Sequence, residues 1–558
     1  MQNMTDELKS VLEAAVRAVA AEKQCTLPEG FTVRFERPRQ EGHGDWATNI
    51  AMQLAKPFGE KPRDLAEAII AKLPKGGVIE KAEAAGPGFM NFKLSSDWIR
   101  QTVAGAIEKG PAYGRCDIGG GRRVQVEFVS ANPTGPLHMG HGRGAAVGDI
   151  LASLLDFAGY SVEREYYIND AGLQMELLGK SAQARYFEAL GRADEAPMPE
   201  DGYRGEYMED IAKVFVEKYG DSLAAKPVEE TVKFFSEETG RLVLEMIKKD
   251  LEDFGVRFDV WFSEQSLYDR NLVEPAMQAL QSRDYAYEAD GALWFRSTMF
   301  GDDKDRVLIR KNGIPTYFTS DVAYLKNKYD RGFEKNIYVW GADHHGYVPR
   351  LKSVNKAFGY PDDGIEVLLI QMVNLLRDGK PVQMSKRAGT IVTLREIMEE
   401  VGSDAARIFF VLRRCDSTVD FDLELAKKAS SENPVFYIQY AHARICSIKR
   451  ELAERGIAMP AASELDVSLL QDPTEVALAK AVSRFPEEVA KAAEEMAPHR
   501  IVYYVSELAE AFHSFYNAQH VIGVEENLMK SRILLMEAAR VTLVNALGIL
   551  GVSAPEKM

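Results

Sequence analysis

Two histidines, His138 and His141, stand three residues apart between a predicted strand and a predicted helix. The strand is RRVQVEFVS, residues 122–130, and the apolar-periodic helix runs from about residue 143 to residue 157. Both imidazoles can face one side where the chain enters the helix, beside its positively polarised end, which suits the binding of phosphate oxygens. The alternative is an ordinary strand-to-helix turn with surface histidines, and an isolated HxGH does not decide between the two.

The turn between the strand and the helix, ANPTGPLHMGH, consists of residues that restrict or free the backbone. Pro133, Gly135 and Pro136 fix the direction of the chain, and Gly140 leaves no side chain where a ligand could approach the backbone. A strand, a tight turn and a helix in this order open a parallel α/β domain. The motif is therefore expected at the carboxyl end of a strand.

A second candidate group lies in LLRDGKPVQMSKRAGT. Asp378-Gly379 is typical of a hairpin tip, and the residues from Met384 to Gly389 form a basic loop. The ammonium group of Lys386 could follow phosphate charge as that charge develops in a transition state. A solvated Lys/Arg loop is the alternative interpretation.

A third polar group, from Gly341 to His345, follows the apolar strand NIYVW and so falls at a strand's carboxyl end, where open α/β sheets bind ligands. The adjacent His344 and His345 could indicate a metal. However, no further Cys, Asp or His stands at a ligand spacing, so the sequence predicts no metal site and no structural zinc.

The elements that must position these residues divide the chain into three predicted regions. Residues 1–111 alternate helices with the strands FTVRFERP and GFMNFKL, which predicts a small α+β domain. Residues 112–432 are predicted to be α/β, with a charged, mostly helical insertion at about 186–290. Residues 433–558 show long 3.6-residue periods and are predicted to be an all-α helical bundle.

Composition limits the class of protein. The chain has 558 residues, 46% hydrophobic and 27% charged, which indicates several compact domains and excludes wholesale disorder. Four cysteines lie far apart, no segment resembles a signal peptide, and no span approaches the ~20 apolar residues of a membrane helix. We therefore expect a cytoplasmic protein without a membrane partner.

The net charge of −16 opposes a polyanionic partner, but it constrains only the average surface. Most of the surplus acidic residues fall between residues 112 and 432, and the two flanking regions are nearly balanced. A partner carrying phosphates would therefore need a local basic track on an otherwise acidic protein.

Taken together, HMGH and Met384-Ser385-Lys386 resemble the two signature motifs of class I aminoacyl-tRNA synthetases. Within that class the chain resembles the arginyl-tRNA synthetases of bacterial type. The similarity extends through GPGFMNFKL, VEFVSANPTGPLHMGH, YFTSDVAY, GADHHGYVPRLK and ENPVFYIQYAHAR. Two residues depart from the second motif, because Gln383 replaces its usual first lysine and Arg387 its final serine.

The resemblance implies a Rossmann-like catalytic domain that forms arginyl-adenylate from L-arginine and ATP with Mg²⁺. The arginyl group then passes to the 2′-hydroxyl at the end of tRNA-Arg, and enzymes of this family typically need bound tRNA for the first step. A cytoplasmic monomer is expected.

The resemblance also implies a role for individual residues. The catalytic residues are His138, His141 and Lys386. The signature motif comprises Ala131, Asn132, Pro133, Thr134, Gly135, Pro136, Leu137, His138, Met139, Gly140 and His141. The ATP-binding residues are His138, Gly140, His141, Gly341, Asp343, Met372, Val373, Met384, Ser385 and Lys386. The arginine-binding residues are Glu127, Asn132, Tyr317, Asp321 and His344, since a guanidinium requires carboxylates placed for paired hydrogen bonds.

Six residues match tRNA-contacting positions of the family: Phe89, Asn91, Tyr437, Gln439, Tyr440 and Arg444. An aromatic ring beside an amide suits stacking on an unpaired base and reading its edge. Phe alternating with Asn is equally typical of a half-buried strand, and the tyrosines could be core residues. Likewise, Glu127 could be an edge charge or a structural ion-pair partner.

Three rival functions remain at this point. A small nucleotidyl transferase also carries HxGH, but such chains usually form one domain. Another class I synthetase would show zinc ligands if specific for cysteine, or a cationic pocket if specific for glutamate. A catalytically silent tRNA-binding relative would not need His138, His141 and Lys386.

Overall fold

The computed structural model describes residues 4–36, 38, 44–170, 173–382 and 392–558. The chain divides into two compact units. The first comprises Met1–Tyr113, Ile448–Arg484 and Glu510–Thr542, and the second comprises Gly114–Ser447, Phe485–Ala509 and Leu543–Met558.

The N-terminal part of the first unit is α+β. Its elements are α1 (Met4–Glu22), β1 (Trp46–Thr48), α2 (Ile50–Phe58), α3 (Pro62–Ala71), β2 (Ile79–Ala85), β3 (Phe89–Leu94) and α4 (Asp97–Lys109). Strand β3, predicted from GFMNFKL, lies between β1 and β2 in an antiparallel sheet. The strand predicted at FTVRFERP is wrong for its described residues. They contribute one bridge, Glu36 to Ala47, because the neighbouring β1 is only three residues long.

The second unit contains the α/β region. Its elements from β4 onward are β4 (Arg123–Phe128), α5 (Met139–Phe157), β5 (Ser161–Ile168), α6 (Leu173–Ala189), α7 (Glu206–Tyr219), α8 (Val228–Asp253), β6 (Val260–Ser263), α9 (Gln265–Asp269), α10 (Val273–Gln281), β7 (Ala286–Ala289), β8 (Ala292–Phe295), β9 (Arg306–Ile309), α11 (Tyr317–Asp330), β10 (Lys335–Gly341), α12 (Val348–Phe358), β11 (Ile365–Ile370), β12 (Val373–Arg377), β13 (Lys380–Pro381), α13 (Leu394–Val401), α14 (Ser403–Phe410), β14 (Val419–Asp422) and α15 (Leu423–Lys427).

A five-stranded sheet forms the centre of this unit, with the order β11, β10, β4, β5, β6 and every neighbouring pair parallel. Strand β4 pairs on one side with β5, the next strand along the chain, and on the other side with β10, a strand from much later in the chain. The strand order therefore reverses direction between β4 and β10. In open α/β sheets, ligands bind at the carboxyl ends of the strands at such a reversal.

Side chains of β4 alternate between two helices. Val124, Val126 and Phe128 face α5, which approaches so closely that a Cβ on Gly148 would lie 2.2 Å from the Phe128 ring. Glu127 faces α11 on the other side of the sheet, where it meets Lys328. The strand thus carries an apolar face and a polar face, and both are covered.

The stretch 186–290 was expected to be mostly helical, and it contains α7 to α10. It also contains β6, which is the edge strand of the parallel sheet, and β7, which pairs with β8 in a three-stranded antiparallel sheet. Both strands have only four residues, so their period-2 pattern is too short to stand out among the surrounding charged helices.

The small sheet of β12, β13 and β14 confirms the predicted hairpin. Strands β12 and β13 pair antiparallel around Asp378 and Gly379, whose φ angles of 50° and 71° are those of a type I′ turn. The segment that carries Met384, Ser385 and Lys386 follows this hairpin.

After residue 433 the described chain is helical: α16 (Pro434–Glu454), α17 (Pro473–Ser483), α18 (Phe485–Glu494), α19 (His499–Ala518) and α20 (Glu526–Leu550). Helix α20 is long and apolar enough to cross a membrane, contrary to the expectation from sequence, but 78% of its most apolar window is buried inside the protein. Burial within the fold accounts for its composition.

Candidate active site

The turn that follows β4 has a strained backbone. Val129 and Ser130 have φ angles of 66° and 41°, a region that a β-branched residue such as valine rarely adopts. The Ser130 hydroxyl oxygen accepts a hydrogen bond from the Tyr167 backbone N–H at 3.1 Å, and the Ala131 carbonyl accepts one from the Tyr166 hydroxyl at 2.8 Å. Neighbouring strand β5 therefore fixes the turn. Strain of this kind, held by its surroundings, is common at ligand-binding sites.

The two histidines act as the N-terminal cap of α5. His138 is the capping residue, and its Nδ1 accepts a hydrogen bond from the Gly140 backbone N–H at 3.1 Å. His141 Nδ1 accepts from the His138 backbone N–H at 3.2 Å. The two rings stack, with centroids 3.7 Å apart. The helix therefore begins at Met139, four residues before the predicted start, because the imidazoles satisfy backbone groups that the sequence pattern leaves open.

This capping also determines which ring nitrogen can contact a ligand. A nitrogen that accepts a hydrogen bond carries no proton, so in the neutral imidazoles the proton lies on Nε2. Each Nε2–H is then a donor suited to a phosphate oxygen at a helix N-terminus. Gly140 allows the arrangement, since a Cβ there would lie 3.0 Å from Cε1 of His138.

The segment bearing the second motif is described on either side only. Met384, Ser385 and Lys386 lie outside the described residues. The next described residues lie beside the HMGH turn, where the Leu394 backbone N–H donates to the Leu137 carbonyl at 2.8 Å. Thr393 caps α13 and pairs with His138 in an isolated bridge. Thr393 and Leu394, among the first described residues after the second motif, are thus anchored on the first motif.

Two of the predicted arginine-binding residues, Tyr317 and Asp321, lie along one face of α11. Tyr317, Asp321, Tyr324 and Lys328 are spaced at intervals of four, three and four residues, which places them in a row. Tyr317 is exposed, Asp321 is half-buried, and Tyr324 and Lys328 are buried. The row therefore runs from the surface into the polar face of the central sheet.

Asp321 is the carboxylate at the middle of this row. Its Oδ2 accepts a hydrogen bond from the Tyr347 hydroxyl. Burial raises the pKa of Asp321 to about 7, against the Tyr347 hydrogen bond, and the nearby carboxylates of Glu264 and Glu127 raise it further while Arg350 lowers it. A carboxyl group whose pKa is raised to about 7 by burial and by other carboxylates favours a cationic ligand, because a nearby cation stabilises its ionised form.

Glu127 has a partner within the protein. Its Oε2 lies 2.6 Å from Nζ of Lys328, and both side chains are buried. Burial lowers the pKa of Lys328, although Glu127 and Glu165 oppose the shift. Glu165 in turn binds Arg331 through contacts of 2.5 and 2.9 Å. The ion-pair interpretation of Glu127 is therefore realised, and among the described residues no protein donor bonds its Oε1.

This pair gives a stability prediction. Lys328→Met is expected to lower the free energy of unfolding by about 3–5 kcal/mol, because it leaves the Glu127 carboxylate buried without a cation. The double variant Glu127→Gln, Lys328→Met is expected to recover most of the loss. Thermal unfolding midpoints measure both, with the half-buried Lys326 on the same helix, whose partner Asp330 is exposed, changed to methionine as the control. A Lys328→Met protein with the wild-type midpoint would contradict the buried pair.

At the carboxyl end of β10, the residues predicted to bind ATP and arginine are exposed. Gly341 permits the Asp343 carboxylate to fold back, since a Cβ at Gly341 would lie 2.5 Å from Asp343 Oδ1. His344 Nε2 lies 3.7 Å from Asp343 Oδ2, and both side chains are more than half exposed. We predicted that His344 lies near the amino acid. The residue of this stretch that contacts the predicted ligand Asp321 is instead Tyr347, one turn further on.

The predicted adenine-binding residues lie at the carboxyl end of β11, the neighbour of β10. Met372 has a side chain that is 73% exposed, and Val373 is buried. The Met372 carbonyl accepts from the Val419 backbone N–H at 3.2 Å, and so is already occupied. We predicted that backbone groups near Met372 and Val373 read the adenine edge; the Met372 carbonyl is engaged within the protein, while the Met372 side chain is an exposed surface beside them.

Phe89 and Asn91 lie on β3, the middle strand of the N-terminal sheet. Phe89 is half-buried and Asn91 is only 5% exposed. Asn91 pairs with Ala47 on one side and with Glu83 on the other. The half-buried-strand interpretation therefore describes Asn91 well, and Phe89 offers the larger accessible surface.

The other four predicted tRNA residues lie on α16. Gln439 is buried, and its amide donates to Asp404 Oδ2 at 2.8 Å and to the Ser553 carbonyl at 3.1 Å. The Arg444 guanidinium lies over the Tyr440 ring at 4.4 Å, and Tyr437 is half-buried. Gln439 thus joins two chain segments, whereas Tyr440 and Arg444 form a partly accessible aromatic and cationic pair.

Three residues of the site were missed from the sequence. Tyr347 and Lys328 bind the two predicted carboxylates, and Arg143 binds main-chain carbonyls beside the predicted adenine position. Lys328 could have been found from its helical spacing with Tyr317 and Asp321. Within the described part of the chain, no three His, Cys, Asp or Glu side chains are arranged to hold a metal ion.

Family models match nearly the whole chain. The model "Arginyl tRNA synthetase N terminal domain" matches residues 4–94, "tRNA synthetases class I (R), catalytic domain" matches residues 105–431, and "DALR anticodon binding domain" matches residues 438–558. The central model alone spans more than half of the sequence.

Individual proteins agree with these models. The arginine–tRNA ligase of Bacillus subtilis is 52% identical over 559 residues, covering 100% of this chain and 99% of that protein. A solved structure from Campylobacter jejuni, described as an arginyl-tRNA synthetase, is 35% identical, covers 83% of this chain and 100% of its own, and has a TM-score of 0.76. The Thermus thermophilus arginyl-tRNA synthetase, at 23% identity and a TM-score of 0.76, has the same fold over 99% of this chain. The predicted fold class is confirmed.

Proposed function

Since this chain belongs to the arginyl-tRNA synthetase family, and is an ATP-dependent ligase of L-arginine and its tRNA, we propose that arginyl-adenylate forms at the carboxyl ends of β4 and β10. The observation that carries the proposal is that the Glu127 carboxylate and the histidine cap both lie at the end of β4. Glu127 is its penultimate residue, and His138 caps the helix that follows.

The arginine half of the site consists of the residues on α11 and their neighbours. Asp321 receives the guanidinium, Glu127 offers its second oxygen, and Tyr317 packs at the entrance. Asn132 and His344 hold the α-amino and carboxyl groups. The Asn132 amide donates to Gln174 Oε1 at 2.5 Å, so its own carbonyl oxygen is the acceptor that faces a ligand's ammonium group.

The ATP half extends from the HMGH turn to β11. His138 and His141 donate Nε2–H to the phosphates, and Gly140 leaves room for them. Gly341 and Asp343 face the ribose, and Met372 with Val373 face the adenine. Met384, Ser385 and Lys386 complete the set, with Lys386 on the departing pyrophosphate. Mg²⁺ enters with ATP as part of that substrate.

The chemistry then needs no covalent enzyme nucleophile. A carboxylate oxygen of arginine attacks the α-phosphorus, the bond from that phosphorus to the bridging oxygen breaks, and pyrophosphate leaves with the electron pair. In the second step the 2′-hydroxyl of the tRNA's terminal adenosine attacks the arginyl carbonyl, loses its proton and displaces AMP. Catalysis rests on positioning and on donors aimed at developing charge.

The flanking regions provide the tRNA contacts in this proposal. Residues 1–111 would contact the D-loop through Phe89 and Asn91, and residues 433–558 would bind the anticodon region through Tyr437, Gln439, Tyr440 and Arg444. In the sequence, the catalytic domain, residues 112–432, stands between these two regions. The stacked Tyr440 and Arg444 present the aromatic and cationic chemistry that binds unpaired bases. We propose a cytoplasmic monomer that acts without a membrane.

Pyrophosphate exchange tests the proposal directly. The purified protein is assayed with each of the twenty amino acids, with and without tRNA-Arg. Exchange with arginine alone, dependent on tRNA, is the expected result. Exchange driven by another amino acid would overturn the specificity, and no exchange with any of them under tRNA saturation would overturn the assigned chemistry.

A further inference from the structure

We propose that Arg143 is a positioning residue for ATP, which fixes the adenine-facing segment Gln371-Met372 relative to the histidine cap. Its side chain is fully buried on α5, two residues after His141. The guanidinium donates to the carbonyls of Gln371 at 2.7 Å and Arg414 at 2.9 Å. It also reaches the carbonyls of Phe410 at 3.2 Å and Met372 at 3.5 Å.

Burying the Arg143 guanidinium in the core carries a desolvation free energy that an apolar side chain at this position would avoid. Burial lowers the pKa of Arg143 to about 10, and none of its described hydrogen bonds goes to a carboxylate. A buried charge is frequently no more stabilising than an apolar side chain of similar volume. What an apolar residue cannot do is hold separate chain segments through a planar fork of five N–H donors. We therefore infer that the role of Arg143 is to fix the relative positions of these chain segments, and not to add stability.

The segments that the guanidinium joins are those that meet around ATP in the proposed function. Helix α5 is capped at its N-terminus by the side chains of His138 and His141. Gln371 and Met372 follow β11, whose last residue, Ile370, pairs with Gly341 of β10. The Met372 side chain points outward from a backbone that Arg143 and Val419 hold from within.

A second consequence concerns the hairpin. Strand β12 begins at Val373, directly after the clamped carbonyls, and leads through β13 to the segment that carries Lys386. The Phe410 and Arg414 carbonyls lie at the end of α14 and in the turn before β14, the parallel partner of β12. Arg143 therefore holds the chain immediately before β12 and the chain leading to β14. These two paired strands form the base from which the β12–β13 hairpin extends.

The inference rests on the proposed function, and it predicts a separation between the two substrates. Arg143→Met is expected to raise the KM for ATP about 10- to 100-fold, because a misplacement of about 1 Å at a binding segment can have such an effect. The KM for arginine is expected to change less than threefold, because α11 and its carboxylates make no contact with Arg143. Pyrophosphate exchange at saturating tRNA, with one substrate varied at a time, measures both.

Arg407→Met is the matched control. Arg407 is also fully buried in the same unit and donates to the carbonyls of Leu550 at 2.9 Å and Phe254 at 3.2 Å. Unlike Arg143 it also pairs with a carboxylate, Asp149 on α5, at 2.6 Å, but it binds no part of the segment Gln371-Met372. Both variants are expected to lower the thermal unfolding midpoint. Only Arg143→Met is expected to change the ratio of the two KM values. If Arg407→Met changes that ratio equally, the effect is general loosening and the proposal fails.

Arg143→Lys provides a second variant that keeps the charge and one donor group. It is expected to show the same separation with a smaller rise in the KM for ATP. Unchanged KM values for ATP in both Arg143 variants would overturn the positioning role while leaving the proposed function intact. Absence of arginine-dependent exchange in the wild-type protein would instead overturn the proposed function.

Discussion

His138→Asn is expected to retain the wild-type stability and to lose about 10²- to 10³-fold in kcat for arginyl-adenylate formation. The asparagine Oδ1 takes the place of the histidine Nδ1, which accepts the Gly140 backbone N–H at 3.1 Å. Asparagine is among the best N-terminal capping residues, so α5 keeps its start. Nothing replaces Nε2–H, the donor assigned to the phosphates.

The reciprocal variant, His138→Gln, separates the two roles of the imidazole. Its amide nitrogen extends to the position of Nε2 and retains a donor, but it offers no acceptor at the position of Nδ1. We expect His138→Gln to lose about 1 kcal/mol of stability through the missing cap and to retain more activity than His138→Asn. Single-turnover adenylate formation measures the rate, and thermal unfolding measures the cap.

Two results would contradict this assignment. If His138→Asn forms adenylate at the wild-type rate, the Nε2 donor has no part in catalysis. If only the glutamine variant loses activity, in step with its lower stability, the imidazole acts only as a cap. The cap on His141 is separate, because it involves the backbone N–H of residue 138 and survives both substitutions.

The positions of the motifs on the fold followed from local sequence. The β-branched and aromatic run RRVQVEFVS, ending in a Pro/Gly turn, predicted β4 to within two residues at its C-terminal end. Asp378-Gly379 predicted the hairpin because only residues that tolerate positive φ suit a type I′ turn. Such signals depend on neighbours in the chain, so a single sequence suffices to find them.

The contacts that define the site could not be found in this way. Lys328 meets Glu127 across 201 residues of sequence, and Arg143 meets Gln371 across 228. Hydrophobic periodicity assigns lysine and arginine to the surface, because burial of these side chains is rare without a partner. Their partners become apparent only when parallel strands from distant parts of the chain lie side by side. The family resemblance supplied the carboxylates but not the groups that bind them.

Asp321 carries the second large effect. Asp321→Asn is expected to reduce kcat/KM for arginine roughly 10²- to 10³-fold, since removing one charge of a buried charged pair costs about 2–5 kcal/mol. The KM for ATP is expected to stay the same. Asp330, an exposed carboxylate at the last residue of α11, provides the control: Asp330→Asn should leave both values unchanged.

The same substitution is expected to stabilise the protein without substrate, and the effect has a defined pH dependence. The pKa of Asp321 lies near 7 in the folded protein, against an ordinary value of 3.8. Because the folded state holds this proton more tightly than the unfolded state does, the carboxyl's contribution to stability is lost as the pH rises from about 4 through 7. Asparagine cannot ionise, so the variant escapes a penalty of at most about 4 kcal/mol.

We therefore expect Asp321→Asn to be more stable than the wild type at pH 8 and to lose most of that advantage at pH 5. Arginine binding by the wild type should strengthen as the pH rises through about 7, because the guanidinium binds the ionised carboxyl and the proton must leave first. Thermal unfolding at both pH values and the KM for arginine across this range measure the two effects. An equal stability difference at pH 5 and pH 8 would show that the carboxyl does not titrate in this range. Joined with a flat arginine profile, it would mean that the Tyr347 hydrogen bond already keeps Asp321 ionised.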